Sequence, residues 1–374
     1  MALENPPLPS TQKKPLSPRR KLFYSVVVCA MAAVMVLAAG EVYIRLWGPI
    51  DEVGWYELTD DPILFYRLTP DFSGDDHGHR RTQTAQRLRG PWVFEEQPAP
   101  GVRRVLWVGD SACFGSGCDD TQTAPFQFHK IAKASGVAVD SIDLAVVGYN
   151  VRQVRDVLAR RSTEFRGADT VIYYHHENDI VNAPWFAVAH RVPWNLYWEY
   201  EAPQNFAKKL VKRSAVVRRL WNTDLLVQLR GASASDAERA VIRTALADRS
   251  LSLPISPFTK TCVDLYDNAH EHGRRFRDEL FTMADRAESM NARFVMVYWP
   301  SRTLLHHEEL IRLRRTLSSW CDEKNILFVD VTDAFLAAET ADIYADTIHP
   351  GPDGQLIIAN AVFNAWSGGP SAPP

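Results

Sequence analysis

Apolar residues along this chain follow two rhythms. Short, near-continuous runs of strand type occupy residues 103–109, 137–144, 169–175, 292–299 and 326–329. Between them, apolar positions recur every three to four residues, the spacing of one helical face. That spacing predicts helices over 123–135, 151–161, 268–290, 306–324 and 355–366. Phe126, Phe128, Ile131 and Ala132 mark the buried side of the first helix. Val151, Val154, Val157 and Leu158 mark that of the second, leaving Arg152, Arg155, Arg160 and Arg161 as a solvated face. Strands that are apolar throughout, rather than alternating, are buried on both sides, as in a parallel sheet covered by helices. Five of them predict an α/β fold, a flavodoxin-like three-layer sandwich on a five-stranded parallel sheet in strand order 2-1-3-4-5. No internal repeat appears, which argues against a solenoid or propeller.

The N-terminus breaks both rhythms. Residues 1–21 are rich in proline and polar groups and read as a disordered tail ending in Lys13, Lys14, Arg19, Arg20 and Lys21. Residues 22–40 then run without a charge, about the length that crosses a bilayer as a helix. The basic flank predicts a cytoplasmic N-terminus with the rest of the chain outside. Leu37-Ala38-Ala39 makes a poor signal-peptidase site and the run is long for a signal core, so an uncleaved single-pass anchor over 22–41 is expected.

Residues 42–100 read as a lead-in of short strands packed on the main domain, which spans 101–366. His77 and His79 in this lead-in read as solvated loop histidines rather than a metal site. Between 182 and 261 the alternation stops. Trp185, Phe186, Trp194, Tyr197, Trp198 and Tyr200 precede a basic run with Lys208, Lys209, Lys212, Arg213, Arg218 and Arg219. This is an insertion on the ligand side of the sheet, read either as a lid or substrate wall, or as a helical subdomain with its own core. Residues 367–374 form a frayed tail. The formal net charge of −3 gives no argument for nucleic-acid binding. Of five cysteines, Cys29 lies in the apolar span. Cys113 and Cys118 are a candidate pair outside the cell, with buried free thiols as the alternative.

Candidate chemistry sits at the strand ends, where ligands bind in such sheets. The run Val105-Leu106-Trp107-Val108 breaks at Gly109-Asp110-Ser111, delivering a serine just past a strand end. The second strand ends in Gly148. The third ends in His176-Glu177-Asn178-Asp179, and near the C-terminus stands Asp346-Thr347-Ile348-His349-Pro350. By itself, Gly-Asp-Ser is only a strand ending in a turn. The four blocks in this order resemble the SGNH (GDSL-type) hydrolase family, whose blocks are a GDS serine, a glycine, a GxND asparagine and a DxxH pair. The resemblance covers residues 101–366, with His176 in place of the GxND glycine.

A serine hydroxyl needs a base within hydrogen-bond reach, and that base needs an orienting partner. His349 is the candidate base and Asp346 its orienter, with Ser111 as nucleophile. The resemblance implies an oxyanion hole made of the Ser111 and Gly148 N–H groups and the Asn178 side-chain amide. Asp110 and Asp179 are expected to hold loops. His176 reads as a substrate contact near that hole or as a ring turned sideways into a helix layer. His175 is expected to pack under the sheet.

The resemblance thus implies a serine esterase or acyltransferase working through an acyl-enzyme, without cofactor or metal. The aromatic and basic insertion leans toward O-acyl, above all O-acetyl, groups of a cell-envelope carbohydrate. A transferase would need a multi-spanning acyl-donor partner, because one span cannot carry an acyl group across the membrane. The rival reading is a non-catalytic module of the same fold that binds glycan or scaffolds an envelope complex. A lipid-directed esterase, with an apolar groove beside Ser111, is a third.

Overall fold

The computed structural model describes residues 17–47, 55–59, 61, 63–64, 66–76, 78–180, 255, 257–338 and 343–368. The aromatic and basic insertion therefore lies outside the described residues, except for its last few positions.

Five parallel strands form the core sheet: β5 (Arg103–Gly109), β6 (Val139–Asp143), β7 (Thr170–His175), β8 (Arg293–Tyr298) and β9 (Leu327–Asp330). Their order is β6-β5-β7-β8-β9, the predicted 2-1-3-4-5. Both faces are covered. Helices Ala124–Ala134 and Pro352–Ser367 pack together on one side. Val151–Arg161, Glu271–Ser289 and Glu308–Glu323 lie on the other. All six residues of β7, at the centre, are buried. A strand enclosed this way has no polar side to show, which is why its sequence does not alternate.

Caps set where the helices begin. Asn150 and Gln153 form a reciprocal capping box, each side chain bonded to the other's backbone N–H at 3.0 and 3.1 Å. Helix Val151–Arg161 thereby starts three residues after Gly148. Val151, Val154, Val157 and Leu158 are buried, as expected, as are Phe128 and Ala132, while Phe126 and Ile131 are only partly so. The arginine face of this helix is not simply solvated. Arg155 pairs with Glu279 at 2.5 Å, Arg160 pairs with Asp61, and Arg161 donates to the Gln86 carbonyl at 2.6 Å. These charges bind the helix to its neighbour and to the lead-in, where the periodicity alone suggested water.

The lead-in forms two short antiparallel hairpins: β1 (Tyr56–Leu58) with β2 (Tyr66–Leu68), and β3 (Ser73–Asp76) with β4 (His79–Thr82). The buried Arg89–Asp120 pair at 2.7 Å anchors it to the main domain. Arg81, also buried, lies 3.4 Å from the Trp55 ring centre. Ahead of the lead-in, Pro18–Trp47 is one 30-residue helix. At 1.5 Å per residue it is about 45 Å long. Its segment Pro18–Tyr43 is long and apolar enough to cross a membrane. All five cysteines are free thiols, so Cys113 and Cys118 are not joined.

Candidate active site

Gly109 ends β5 beside β7. A Cβ at this position would stand 2.7 Å from the Tyr174 carbonyl oxygen and 2.8 Å from the Cys113 Cβ. The glycine is required by that close approach. Asp110 caps the short helix Ser111–Phe114, its Oδ1 accepting from the Ala112 N–H at 3.0 Å. Its Oδ2 lies 3.2 Å from the Ser111 hydroxyl. Gln355, buried on helix Pro352–Ser367, braces this turn. Its amide donates to the Ala112 carbonyl and accepts from the Ala124 N–H, both at 2.9 Å. Nothing in the sequence reading singled out Gln355. Its only signal was a polar residue on the inner side of an apolar helix.

The loop from 344 to 350 brings His349 to Ser111. Tyr344 and Pro350 pair across its mouth, and the Arg302 N–H donates to the Thr347 carbonyl at 3.2 Å. Inside it, Asp346 Oδ1 accepts from the N–H groups of Ile348 and His349 at 2.6 and 2.7 Å. Its Oδ2 lies 2.7 Å from His349 Nδ1. A carboxylate there assigns the proton to Nδ1, so Nε2 is left to accept from the Ser111 hydroxyl, 2.9 Å away. Burial alone would raise the Asp346 carboxyl. The hydrogen bond and charge of His349, with the two backbone donors, outweigh it and hold Asp346 down at about 2. Asp346, His349 and Ser111 thus form one continuous relay.

Gly148 follows the second strand with φ +81°, a backbone region that disfavours other residues. The Tyr66 hydroxyl of the lead-in donates to the Val147 carbonyl at 2.7 Å. In a trans peptide the C=O and N–H point to opposite sides. This bond therefore holds the Gly148 N–H facing away from Tyr66. The Tyr149 hydroxyl returns a bond to the Tyr66 carbonyl.

On β7, Tyr174 is in register with Gly109 of β5, so the two strand ends lie side by side. A single 3-10 turn, Glu177–Ile180, follows β7 and is buried. Asp179 holds it: its Oδ2 accepts from the Tyr173 hydroxyl at 2.7 Å and the His176 N–H at 3.2 Å. Burial raises Asp179 to about 7 against those bonds. Asp110 is also raised, by burial and then by the neighbouring Asp179. Both aspartates hold loops, as expected. His175 is buried among aromatic rings, with Nδ1 3.1 Å from Asp179, and burial lowers it to about 3.

His176 is turned into the interior and stacks on Trp299, with ring centres 4.5 Å apart and planes at 23°. Its Nδ1 lies 2.7 Å from Asn178 Oδ1, and its Nε2 lies 3.0 Å from Glu177 Oε2. Burial opposes a charge on this ring, but Glu177 and, further off, Asp110 outweigh it and raise His176 to about 9. Glu177 is lowered by the same pairing, against its burial. The sequence pattern assigns no role to Glu177 or Tyr66.

Among the described residues no cluster of three histidine, cysteine or acidic side chains is arranged to hold a metal. His79 stands 3.9 Å from Asp119, and His77 lies outside the described residues.

No family model matches the chain, and no curated protein matches it. Solved structures to which it is similar include TesA, at 13% identity over 70% of this chain and 97% of that one, with a TM-score of 0.41. The lipase/acylhydrolase from Enterococcus faecalis is 13% identical over 71% and 96% of the two chains, with a TM-score of 0.38. The psychrotrophic esterase EstA from Pseudoalteromonas sp. is 9% identical over 71% and 97%, also with a TM-score of 0.38.

Proposed function

We propose that this chain is a membrane-anchored serine ester hydrolase or acyltransferase of the SGNH type. The observation that carries the reading is the relay Asp346 Oδ2–His349 Nδ1 and His349 Nε2–Ser111 Oγ, at 2.7 and 2.9 Å. In it, Ser111 Oγ attacks the ester carbonyl carbon while its proton passes to His349 Nε2. The carbonyl oxygen becomes an oxyanion, met by the N–H groups of Ser111 and Gly148 and the amide of Asn178. As the intermediate collapses, the bond to the leaving oxygen breaks and His349 returns the proton to it. Water, or an acceptor hydroxyl, then repeats the sequence on the acyl-enzyme, with His349 again as base. Asp346 keeps the Nδ1 proton in place and stabilises the imidazolium.

The substrate class we favour is O-acyl, above all O-acetyl, groups of a cell-envelope carbohydrate, supported by the aromatic and basic composition of residues 182–261. The helix Pro18–Trp47 would fix the enzyme to the membrane, with residues 1–21 in the cytoplasm and the sheet domain outside. In transfer, a multi-spanning partner would supply the acyl donor. A non-catalytic module has no need of a serine kept at 2.9 Å from a charge-oriented imidazole.

The test is incubation of the full chain in detergent with p-nitrophenyl acetate, beside Ser111→Ala. The expected outcome is a Ser111-dependent burst and an acetyl-sized mass increase on the intact protein. Added oligosaccharides that take up the acetyl group would identify transfer. Folded protein with neither adduct nor difference from Ser111→Ala sinks the ester chemistry.

A further inference from the structure

An amide side chain serves as an oxyanion donor only if its NH₂ end, not its oxygen, faces the substrate. The two ends are nearly the same size, so something must choose between them. In this chain the Asn178 oxygen is engaged by His176 Nδ1 at 2.7 Å. We propose that His176 is a positioning residue: it donates from Nδ1 to Asn178 Oδ1, held in place by Glu177, and so aims the Asn178 NH₂ at the oxyanion. The inference rests on the ester reading above and adds to it the residue that orients one donor.

Three contacts make the arrangement one unit. Trp299 holds the ring plane by stacking. Glu177, 3.0 Å from Nε2, favours a proton on that nitrogen. A ring charged by this pairing carries protons on both nitrogens, and then Nδ1 can only donate. A neutral ring that kept its proton toward Glu177 would present a lone pair to Asn178 and turn the amide around. The direction of the His176 shift, upward to about 9, agrees with the charged ring. The titratable groups around it are Glu177 and Asp179 on its own turn, His175 before it, Asp110 from the turn after β5, and the Tyr266 hydroxyl at the His176 carbonyl. All are buried, so the pair is shielded from screening by salt.

Two substitutions separate this role from simple filling of space. An asparagine side chain ends near the position of Nδ1, and a glutamine near that of Nε2. On the positioning role, His176→Asn retains a donor for Asn178 Oδ1 and keeps most of kcat. His176→Gln retains only the contact toward Glu177. Losing an oxyanion donor costs about 100- to 1000-fold in kcat, so a misaimed one should cost about 10- to 100-fold, with KM little changed. A structural role gives the opposite order, because glutamine preserves the Glu177 contact. In an Asn178→Ala background the effect of His176→Gln should vanish, since both act through one amide.

The experiment measures kcat and KM for p-nitrophenyl acetate on the full chain in detergent, with thermal melting as the check of folding. Glutamine equal to or better than asparagine overturns the proposal, as does additivity with Asn178→Ala. Should both variants fail to fold, the unaltered chain decides: kcat should fall as His176 loses its proton near pH 9, and a flat profile overturns the proposal. If the unaltered chain shows no Ser111-dependent turnover at all, the ester reading has failed and takes this inference with it. Failure of the inference alone leaves that turnover intact.

Discussion

Two histidine–carboxylate pairs meet at the ends of β5 and β7, and they are opposite in environment. His349 and Asp346 are on a surface loop, with side chains 21% and 54% exposed. His176 and Glu177 are 3% and 2% exposed. At the surface, the loop's own N–H groups stabilise the carboxylate, and the imidazole keeps a free nitrogen for the serine. That pair can exchange a proton. In the interior, Nδ1 meets Asn178 and Nε2 faces the Glu177 carboxylate at 3.0 Å, and the pair has charge but no exit for it. It can only point. On the proposed function, the same two residue types therefore give a base in one place and a fixed dipole in the other, and water access makes the difference.

The comparison breaks most visibly in catalysis. Asp346→Asn should lower kcat about 10⁴-fold, because the imidazole loses its tautomer and its counter-charge, yet change stability by no more than about 1 kcal/mol at so exposed a site. Turnover with p-nitrophenyl acetate and thermal melting check both halves. A large melting shift with unchanged kcat would reverse the roles assigned to the two pairs.

Glu177→Leu should do the converse first: it strands a buried imidazolium and costs about 3–5 kcal/mol of stability. The paired change His176→Phe with Glu177→Leu keeps the stack on Trp299 and removes both charges. It should melt close to the unaltered chain while kcat stays low. Recovery of kcat in the pair would mean that the inner pair serves only packing.

The inner pair also gives stability a pH dependence of definite sign. His176 is raised above its ordinary 6.5, so its contribution is complete below that pH and is lost as pH rises through about 9. Melting temperature should therefore decline between pH 7 and 10, and the doubly substituted chain should lack that part of the decline. Equal alkaline slopes for the two proteins would show that other groups carry it.

These contrasts also explain what could be read in advance. The sheet was legible because a strand buried on both sides is apolar through its middle, and β5, β7 and β8 are apolar over residues 105–108, 171–174 and 294–297. The surface pair was legible because a loop of four residues, Asp346 to His349, contains its whole geometry. The inner pair was not. His176 and Asn178 are two apart, and in a strand such residues would share a face with Glu177 opposite. The 3-10 turn after β7 gathers all three instead, and nothing in the local pattern marks that turn. The arginine face of Val151–Arg161 departs from the sequence expectation for a similar reason. Its partners Asp61, Gln86 and Glu279 are distant in sequence, and periodicity reports only which side is apolar.

Tyr66 is a further case of a partner distant in sequence, and it carries the smallest predicted effect. It lies 81 residues before Val147, on a three-residue strand with no pattern to distinguish it. Its hydroxyl does for the Gly148 peptide what His176 does for Asn178: it ties down the acceptor end so that the donor end is aimed. Gly148 at φ +81° is a position where the peptide can rotate, and this side-chain bond to the Val147 oxygen opposes a flip. Tyr66→Phe keeps the ring, which sits edge-on to Tyr149 with centres 5.0 Å apart, and removes only the hydroxyl. A hydrogen bond of this kind contributes about 1 kcal/mol, so kcat should fall about fivefold with KM and melting temperature little changed. A fall in melting temperature with kcat intact would make Tyr66 a packing residue, and the lead-in a cover for the domain. A selective loss of kcat would make the lead-in part of the catalytic unit, with one oxyanion donor aimed from the interior and the other from outside the sheet.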